Sequence, residues 1–519
     1  MDRRPHGGRA PGPHRHRGGR ARRRPVPGDT PAASNRRAPE GPQPVSNEPV
    51  IPPHLSRVST GIPGLDEITG GGFLRSGVYI FQGSPGAGKT ILANQIVHRH
   101  AAGGGHVVYV TLLAESHGRL LQHMEAFSFF DVDALPEKIY HVSAFDALRT
   151  GGLPAVVELL RTEMRSHRAG FVVLDGLVMA ASAAESDEVL KLFVSDIQAH
   201  STLTGCTTLL LASEPADRSV SAEHTMVDGI LLLRERAFGP RRERNIEVVK
   251  FRGSQTLRGN HAFEIGPSGI TVYPRLEAQK RLGAGDAVLG EGIPTGVGGL
   301  DAMFDIGGYA RGSVTVVTGP SGSGKTSFGL HFLAQAGADE AALYVSFYES
   351  PELLGRTMRL LGVEQPALLA SGQIDFLWQP FGENLLDALV ARVLDRVRSA
   401  RIARLVIDGA GGFIATPGYP DRGGPFLAAF TNELRRLGVT TLMVVEESDL
   451  GSYRALDTPT LSAVADTVVQ LQVRSEERLR RFLALRKSRV SRCDLQVREV
   501  VLTPSGLSVA SPEDPPVVP

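Results

Sequence analysis

The sequence predicts an α/β protein built from two tandem copies of one domain, each a mostly parallel sheet flanked by helices, preceded by a disordered basic tail. Three observations predict it. Short β-rich runs alternate with helix-compatible stretches, the pattern of a parallel sheet with helical crossovers. The pattern then repeats: Ser59-Thr-Gly-Ile-Pro-Gly-Leu-Asp66 is echoed by Pro294-Thr-Gly-Val-Gly-Gly-Leu-Asp301 at an offset of 235. Gly83-Ser-Pro-Gly-Ala-Gly-Lys-Thr90 is echoed by Gly319-Pro-Ser-Gly-Ser-Gly-Lys-Thr326 at 236. An offset held across separate landmarks marks tandem domains. Finally, the first 54 residues differ in composition from everything after them.

The tail comes first in the chain. Residues 1–54 hold twelve of the 34 prolines, and no Phe, Trp or Tyr occurs before Phe73. Such a segment buries too little apolar surface to offset the entropy of ordering. Residues 1–40 carry eleven Arg against Asp2, Asp29 and Glu40, so the net charge of +1 divides into +8 here and −7 elsewhere. Arg15, Arg17, Arg20 and Arg22–Arg24 suit contact with nucleic acid or an acidic partner. A solvated tail, or a start codon placed upstream of the true one, is the plainer account. Any nucleic-acid contact is expected through this tail alone, because the body has no basic patch interleaved with aromatics.

Hydrophobic residues make up 42% of the 519-residue chain, ample for several cores. Two cysteines, Cys206 and Cys493, supply neither a disulfide framework nor a zinc cluster and point to a reducing, cytoplasmic compartment. Apolar runs such as Thr207–Ala212 fall far below the ~20 residues of a membrane span. No charged n-region leads into an apolar h-region, so neither a secretory signal nor a membrane partner is expected.

The first domain is expected over residues 55–276. Val78–Gln82 reads as a strand, leading through a Gly-rich turn into a helix over Ile91–His100; buried strands follow at Val107–Leu112, Phe171–Leu174 and Thr207–Ala212. Residues 277–292 read as a linker. The second domain, 293–510, repeats the order with Val314–Thr318, a helix over Ser327–Gln335, then Ala342–Phe347, Leu405–Ile407 and Thr440–Val445. Residues 511–519 form a short C-terminal tail.

The Gly-x-x-x-x-Gly-Lys-Thr run occurs twice, each time after a strand and before a helix, which is the context of a phosphate-cradling P-loop. Gly83, Ser84, Pro85, Gly86, Ala87 and Gly88 form the first cradle; Gly319, Pro320, Ser321, Gly322, Ser323 and Gly324 form the second. The backbone N–H groups and the helix N-terminus favour phosphate, so ATP is the expected ligand. Lys89 and Lys325 would reach the β and γ oxygens, and Thr90 and Thr326 would offer hydroxyls to Mg²⁺. Asp175 and Asp408 each end a buried strand and suit the same Mg²⁺, although a helix N-cap is the alternative. Glu115 and Glu349, past the next strand, suit a hydrolytic base; an acid is also favoured at a helix start. Lys250 and Arg252, then Lys487 and Arg489, place two cations on one strand face. A phosphate from a neighbouring subunit would satisfy them, and a solvated face is the alternative.

These residues resemble the KaiC-like family of RecA-superfamily ATPases, named for the circadian-clock ATPase KaiC. The likeness rests on the two P-loops, the Gly-x-x-Gly-Leu-Asp motifs at 61–66 and 296–301, the Lys-x-Arg endings and the tandem arrangement, over about residues 55–510. Ile246-Glu-Val-Val-Lys-Phe-Arg-Gly-Ser254 is similar to the end of that family's first domain. Leu471-Gln472 and Arg481–Arg498 are similar to the end of its second. The resemblance implies two RecA-like P-loop NTPase domains stacked as a double-ringed homohexamer, with ATP at subunit interfaces and the Lys-x-Arg pairs acting on the neighbour's nucleotide. It implies no particular regulatory partner and no clock role. It also implies autophosphorylation of a Ser-Thr pair before an Asp-Thr dipeptide. The matching stretch here is Thr460-Leu-Ser-Ala-Val-Ala-Asp-Thr467, where Ser462 falls on the serine and Ala463 replaces the threonine. The family's paired glutamates read Ala114-Glu115 and Tyr348-Glu349, each without its first member. Three functions follow from these features: a turning ATPase with serine autokinase activity, an ATP-holding scaffold, and a nucleic-acid-dependent ATPase acting through the tail.

Overall fold

A computed structural model of the chain describes residues 56–113, 117–213, 225–238, 241–279, 291–337, 339–380, 385–411, 422–446, 463–475, 478–503 and 506–511. The expected tail at 1–54, Glu115, Ser462 and most of the 277–292 linker lie outside them.

The first sheet contains β1 (Val78–Gly83), β2 (Val107–Thr111), β3 (Ile139–Ser143), β4 (Phe171–Asp175), β5 (Thr207–Ser213), β6 (Gly229–Phe238), β7 (Arg241–Phe251), β8 (Asn260–Gly266) and β9 (Gly269–Tyr273). Their spatial order is β9-β8-β7-β6-β1-β5-β4-β2-β3. The strands from β6 to β3 pair in parallel. The β6–β9 edge is an antiparallel meander. The second sheet repeats this with β10 (Val314–Gly319), β11 (Ala341–Ser346), β12 (Ile374–Trp378), β13 (Ile402–Asp408), β14 (Thr440–Glu446), β15 (Thr467–Ser475), β16 (Leu479–Ser488), β17 (Arg498–Thr503) and β18 (Gly506–Val509). Its order is β12-β11-β13-β14-β10-β15-β16-β17-β18.

Each sheet is covered on both faces, which is why its central strands are apolar throughout rather than alternating. All six residues of β1 are buried. Val78 and Ile80 pack on one face with helices α2 (Phe145–Ser166), α3 (Leu177–Ala183) and α4 (Asp187–Thr204). Tyr79 and Phe81 pack on the other with α1 (Lys89–Ala102). In the second domain Val317 joins the layer under α5 (Lys325–Leu333) and α6 (Pro351–Leu360). Val314 and Val316 join the layer under α7 (Leu386–Ser399) and α8 (Gly423–Arg436). Each fully buried Val, Leu, Ile or Phe contributes about 1.5–3 kcal/mol, so these layers dominate stability. The helices end where local chemistry stops them: Ser186 caps α4 by accepting from Val189 N at 3.4 Å, and Gly205 closes it at φ 75°.

Residues just past the first sheet join the core of the second domain. Leu276 is buried among Leu389, Val393 and Phe430. Beside it, Glu277 receives two hydrogen bonds from Arg422, at 2.6 and 3.1 Å. The same guanidinium donates to Asp387 at 3.0 and 2.7 Å. Among the described residues no helix is long and apolar enough to cross a membrane.

Candidate functional site

Both P-loops leave the C-terminal end of the central strand, β1 or β10, and run into the N-terminus of α1 or α5. The first glycine of each is fixed by packing. A Cβ on Gly83 would stand 2.2 Å from Leu233 O, and one on Gly319 would stand 2.8 Å from Leu471 O. The last glycine is fixed by conformation, with φ 103° at Gly88 and 97° at Gly324, where a side chain is strained. These two glycines are the helix N-caps and supply no side-chain cap to either N-terminus. The first-turn N–H groups therefore face the loop, as an anion site requires. Lys89 Nζ donates to Gly83 O at 2.8 Å and Ser84 O at 3.0 Å; Lys325 Nζ donates to Gly319 O at 2.9 Å and Pro320 O at 2.8 Å. Burial lowers the Lys89 pKa, with the Asp175 carboxylate acting in the opposite sense.

The expected metal-site acids end β4 and β13, each one strand removed from the P-loop strand. Asp175 Oδ2 accepts from Thr90 Oγ1 at 3.4 Å, so acid and threonine meet across the crevice. Burial raises the carboxyl pKa of both Asp175 and Asp408. The helix-cap alternative does not apply to Asp175, because Gly176 takes the N-cap position of α3. No group of three or more His, Cys, Asp and Glu side chains gathers among the described residues. One carboxylate and one hydroxyl still suit Mg²⁺, which keeps several waters and takes phosphate oxygens for the rest. The donor set is all oxygen, as that ion prefers.

In the second domain a cavity of about 480 Å³ lies against the P-loop, lined by Lys325, Thr326, Asp408, Tyr348, Glu349 and Glu446, among others. Glu349 stands just before Ser350, the N-cap of α6. Ser350 does the capping, and Oε2 of Glu349 is buried with no hydrogen-bond partner among the described residues. Burial raises its pKa, and the Asp408 carboxylate raises it further.

Sequence reasoning missed three residues here. Glu446 ends β14 in register with Gly319, in the place that Ser213 takes beside Gly83. It could have been found as an acid closing a buried strand, the rule that located Asp408. The other two are Tyr109 and Tyr344, whose hydroxyls donate to Asp175 Oδ2 at 3.0 Å and to Asp408 Oδ2 at 2.6 Å. Their only sequence signal is a tyrosine at the same place in two apolar strands.

The Lys-x-Arg pairs lie elsewhere. Lys250 pairs with Ile230, which is level with Ile80 on β1; Lys487 pairs with Val468, level with Val316 on β10. Each lysine is thus three residues upstream of its own first P-loop glycine, about 10 Å at ~3.3 Å per residue. Because β7 and β16 run antiparallel to the P-loop strands, Arg252 and Arg489 lie farther still. All four cations hold backbone carbonyls. Lys250 and Arg252 each donate to Thr225 O at 3.1 Å, Lys487 to Ala465 O at 2.9 Å, and Arg489 to Ala463 O at 3.0 Å. Burial lowers the pKa of Lys250 and of Lys487, and the adjacent arginine lowers each further.

Two phosphate cradles on two RecA-like sheets, each with an acid at the end of the strand one removed from the P-loop strand, define a tandem P-loop ATPase. A family model described as "ATPase: KaiC" matches residues 58–277 and again 293–514. The chain belongs to the KaiC ATPase family. It is similar to the circadian clock protein KaiC2 of Synechocystis sp., with 27% identity over 471 residues, 88% of this chain and 81% of that protein. It is also similar to the circadian clock oscillator protein KaiC of Picosynechococcus sp., with 24% identity, covering 90% and 92%. The KaiC of Nostoc sp. is 24% identical, covering 87% and 88%.

Proposed function

We propose that this protein is a cytoplasmic regulatory ATPase that binds Mg-ATP in both domains and hydrolyses it at the subunit interfaces of a homohexameric ring. Gly83–Thr90 and Gly319–Thr326 hold the triphosphate. Asp175 with Thr90, and Asp408 with Thr326, hold the magnesium. That ion, when bound, neutralises charge on the β and γ oxygens. Lys250, Arg252, Lys487 and Arg489 act in trans on the neighbour's phosphate. Glu115 and Glu349 take the proton from attacking water, and Ser462 is the phosphoacceptor of an autokinase activity in the second domain.

The observation that carries the ring is the placement of the Lys-x-Arg pairs. Each pair lies upstream of its own P-loop, the lysine by three residues and the arginine by more, so neither completes its own site, yet both copies keep two cations side by side. Within its own chain Arg252 reaches Asp228 only at 3.9 Å; a second molecule's triphosphate is a stronger anion that the paired cations suit. The raised pKa of Glu349 supports its role, since a base works best when its pKa approaches the ambient pH.

Mixing two inactive variants tests the trans arrangement. Lys325→Ala removes a subunit's own cradle; Arg489→Ala removes what it lends. When they assemble together, a subunit carrying Arg489→Ala finds an intact arginine on its Lys325→Ala neighbour. Second-domain phosphate release should then recover to about a quarter of wild type in an equal mixture, since a closed ring pairs the two at random. No gain over the unmixed variants would mean that the site is complete within one subunit or inactive. Near-background release by wild type itself supports the scaffold instead.

A further inference from the structure

We infer that Tyr109 and Tyr344 are positioning residues that fix the orientation of the magnesium-holding carboxylates Asp175 and Asp408. The inference rests on the Mg-ATP function proposed above. Each tyrosine lies on the strand beside its acid. Tyr109 on β2 is level with Val173 on β4, two residues before Asp175; Tyr344 on β11 is level with Val406 on β13, two residues before Asp408. Residues two apart on a strand share a face, so each phenol leans about 7 Å along the sheet and meets the carboxylate end-on.

Packing alone asks only for a ring. Both tyrosines are 0% exposed, within clusters of Phe, Leu, Ile and Val where phenylalanine would fill the space equally. The hydroxyl is the costly part, because a buried O–H needs a partner. In both domains the phenol donates to Oδ2 of the acid, although the copies differ at the strand between, with Ser213 against Glu446. In the first domain Thr90 donates to the same oxygen, so phenol and threonine approach one carboxylate oxygen from two elements. A carboxylate held by fixed donors keeps one orientation, and an outer partner of this kind tunes metal affinity.

The test uses full-length protein and a fluorescent ATP analogue, titrated with Mg²⁺ and then stripped with EDTA. For Tyr109→Phe/Tyr344→Phe the Mg²⁺ concentration at half-maximal binding should rise about 10–100-fold. Nucleotide affinity in EDTA should match wild type. Each single variant should shift only its own half of the signal, which preserves the test if the double variant aggregates. A wild-type Mg²⁺ midpoint in the double variant overturns the inference. So does an equal loss with and without Mg²⁺, which would be a packing effect. If wild type and Asp175→Ala/Asp408→Ala alike bind nucleotide without regard to Mg²⁺, the metal assignment itself fails, separately from the tyrosines.

Discussion

Replacing Arg422 by methionine should destabilise the second domain by about 3–5 kcal/mol, the usual cost of breaking a buried ion pair. Arg422 has 14% of its side chain exposed, Glu277 13% and Asp387 4%. Its guanidinium makes four hydrogen bonds to these two carboxylates, and methionine keeps the stem but none of the donors. Asp387 would stay buried and charged. Glu277 would keep a looser contact to Arg275 at 3.7 Å, so the cost stays near that of one broken pair rather than two. The sign of the pH dependence follows. Burial acts to raise the Glu277 pKa, but Arg422 outweighs it and holds the carboxyl below its usual range. This contribution to stability is complete above the unfolded pKa, about 4.3. It disappears as pH falls through the lower folded value. The deficit of Arg422→Met should therefore be largest at neutral pH and shrink in acid, where Glu277 protonates. Trp378, the single tryptophan, lies on β12 and reports unfolding of this domain. Its urea midpoint should fall by about 1–5 M, from an m-value of ~1–3 kcal/mol/M. Adding Glu277→Gln and Asp387→Asn to Arg422→Met should recover most of the loss, because neutral groups cost less to bury unpaired than charges do. A loss under ~1 kcal/mol at neutral pH, or no recovery in the triple variant, would refute this account of the cluster.

Two further outcomes concern the chemistry. Glu349→Gln should lower second-domain ATP turnover by about 10²–10⁴-fold and flatten a pH profile that otherwise rises above the ordinary carboxylate range; unchanged turnover would remove Glu349 as the base. Peptide mass spectrometry after incubation with Mg-ATP should find one phosphate on the peptide containing Ser462 and none in Ser462→Ala; an unmodified wild-type peptide would remove the autokinase activity.

The paired sheets were legible because their signals are local. A run such as Val78–Gln82 has few ways to hide its apolar residues other than a strand covered on both faces, and the sequence around Gly83–Thr90 determines its own turn. Asp175 and Asp408 were legible by the same logic, as acids placed where a buried strand must emerge. Tyr109 and Tyr344 were not, since a tyrosine in an apolar run looks like core until the neighbouring strand is known. Glu446 was missed because the strand inserted between the P-loop and the acid-bearing strand has no motif of its own. The Arg422 cluster joins positions 277, 387 and 422, and no local pattern relates them.

The sequence by itself determined what is periodic or contiguous: two domains, their parallel sheets, two phosphate cradles and the acids that follow their strands. Backbone sterics and burial act over a few residues, and those are printed in the chain. Only the tertiary structure decided which side chains meet across strands. It set the phenols on the Asp175 and Asp408 carboxylates, placed Glu349 in the cavity with one oxygen unpaired among the described residues, and carried each Lys-x-Arg pair away from its own P-loop. Those meetings depend on strand order and register, which arise from the packing of the whole chain rather than from any one segment.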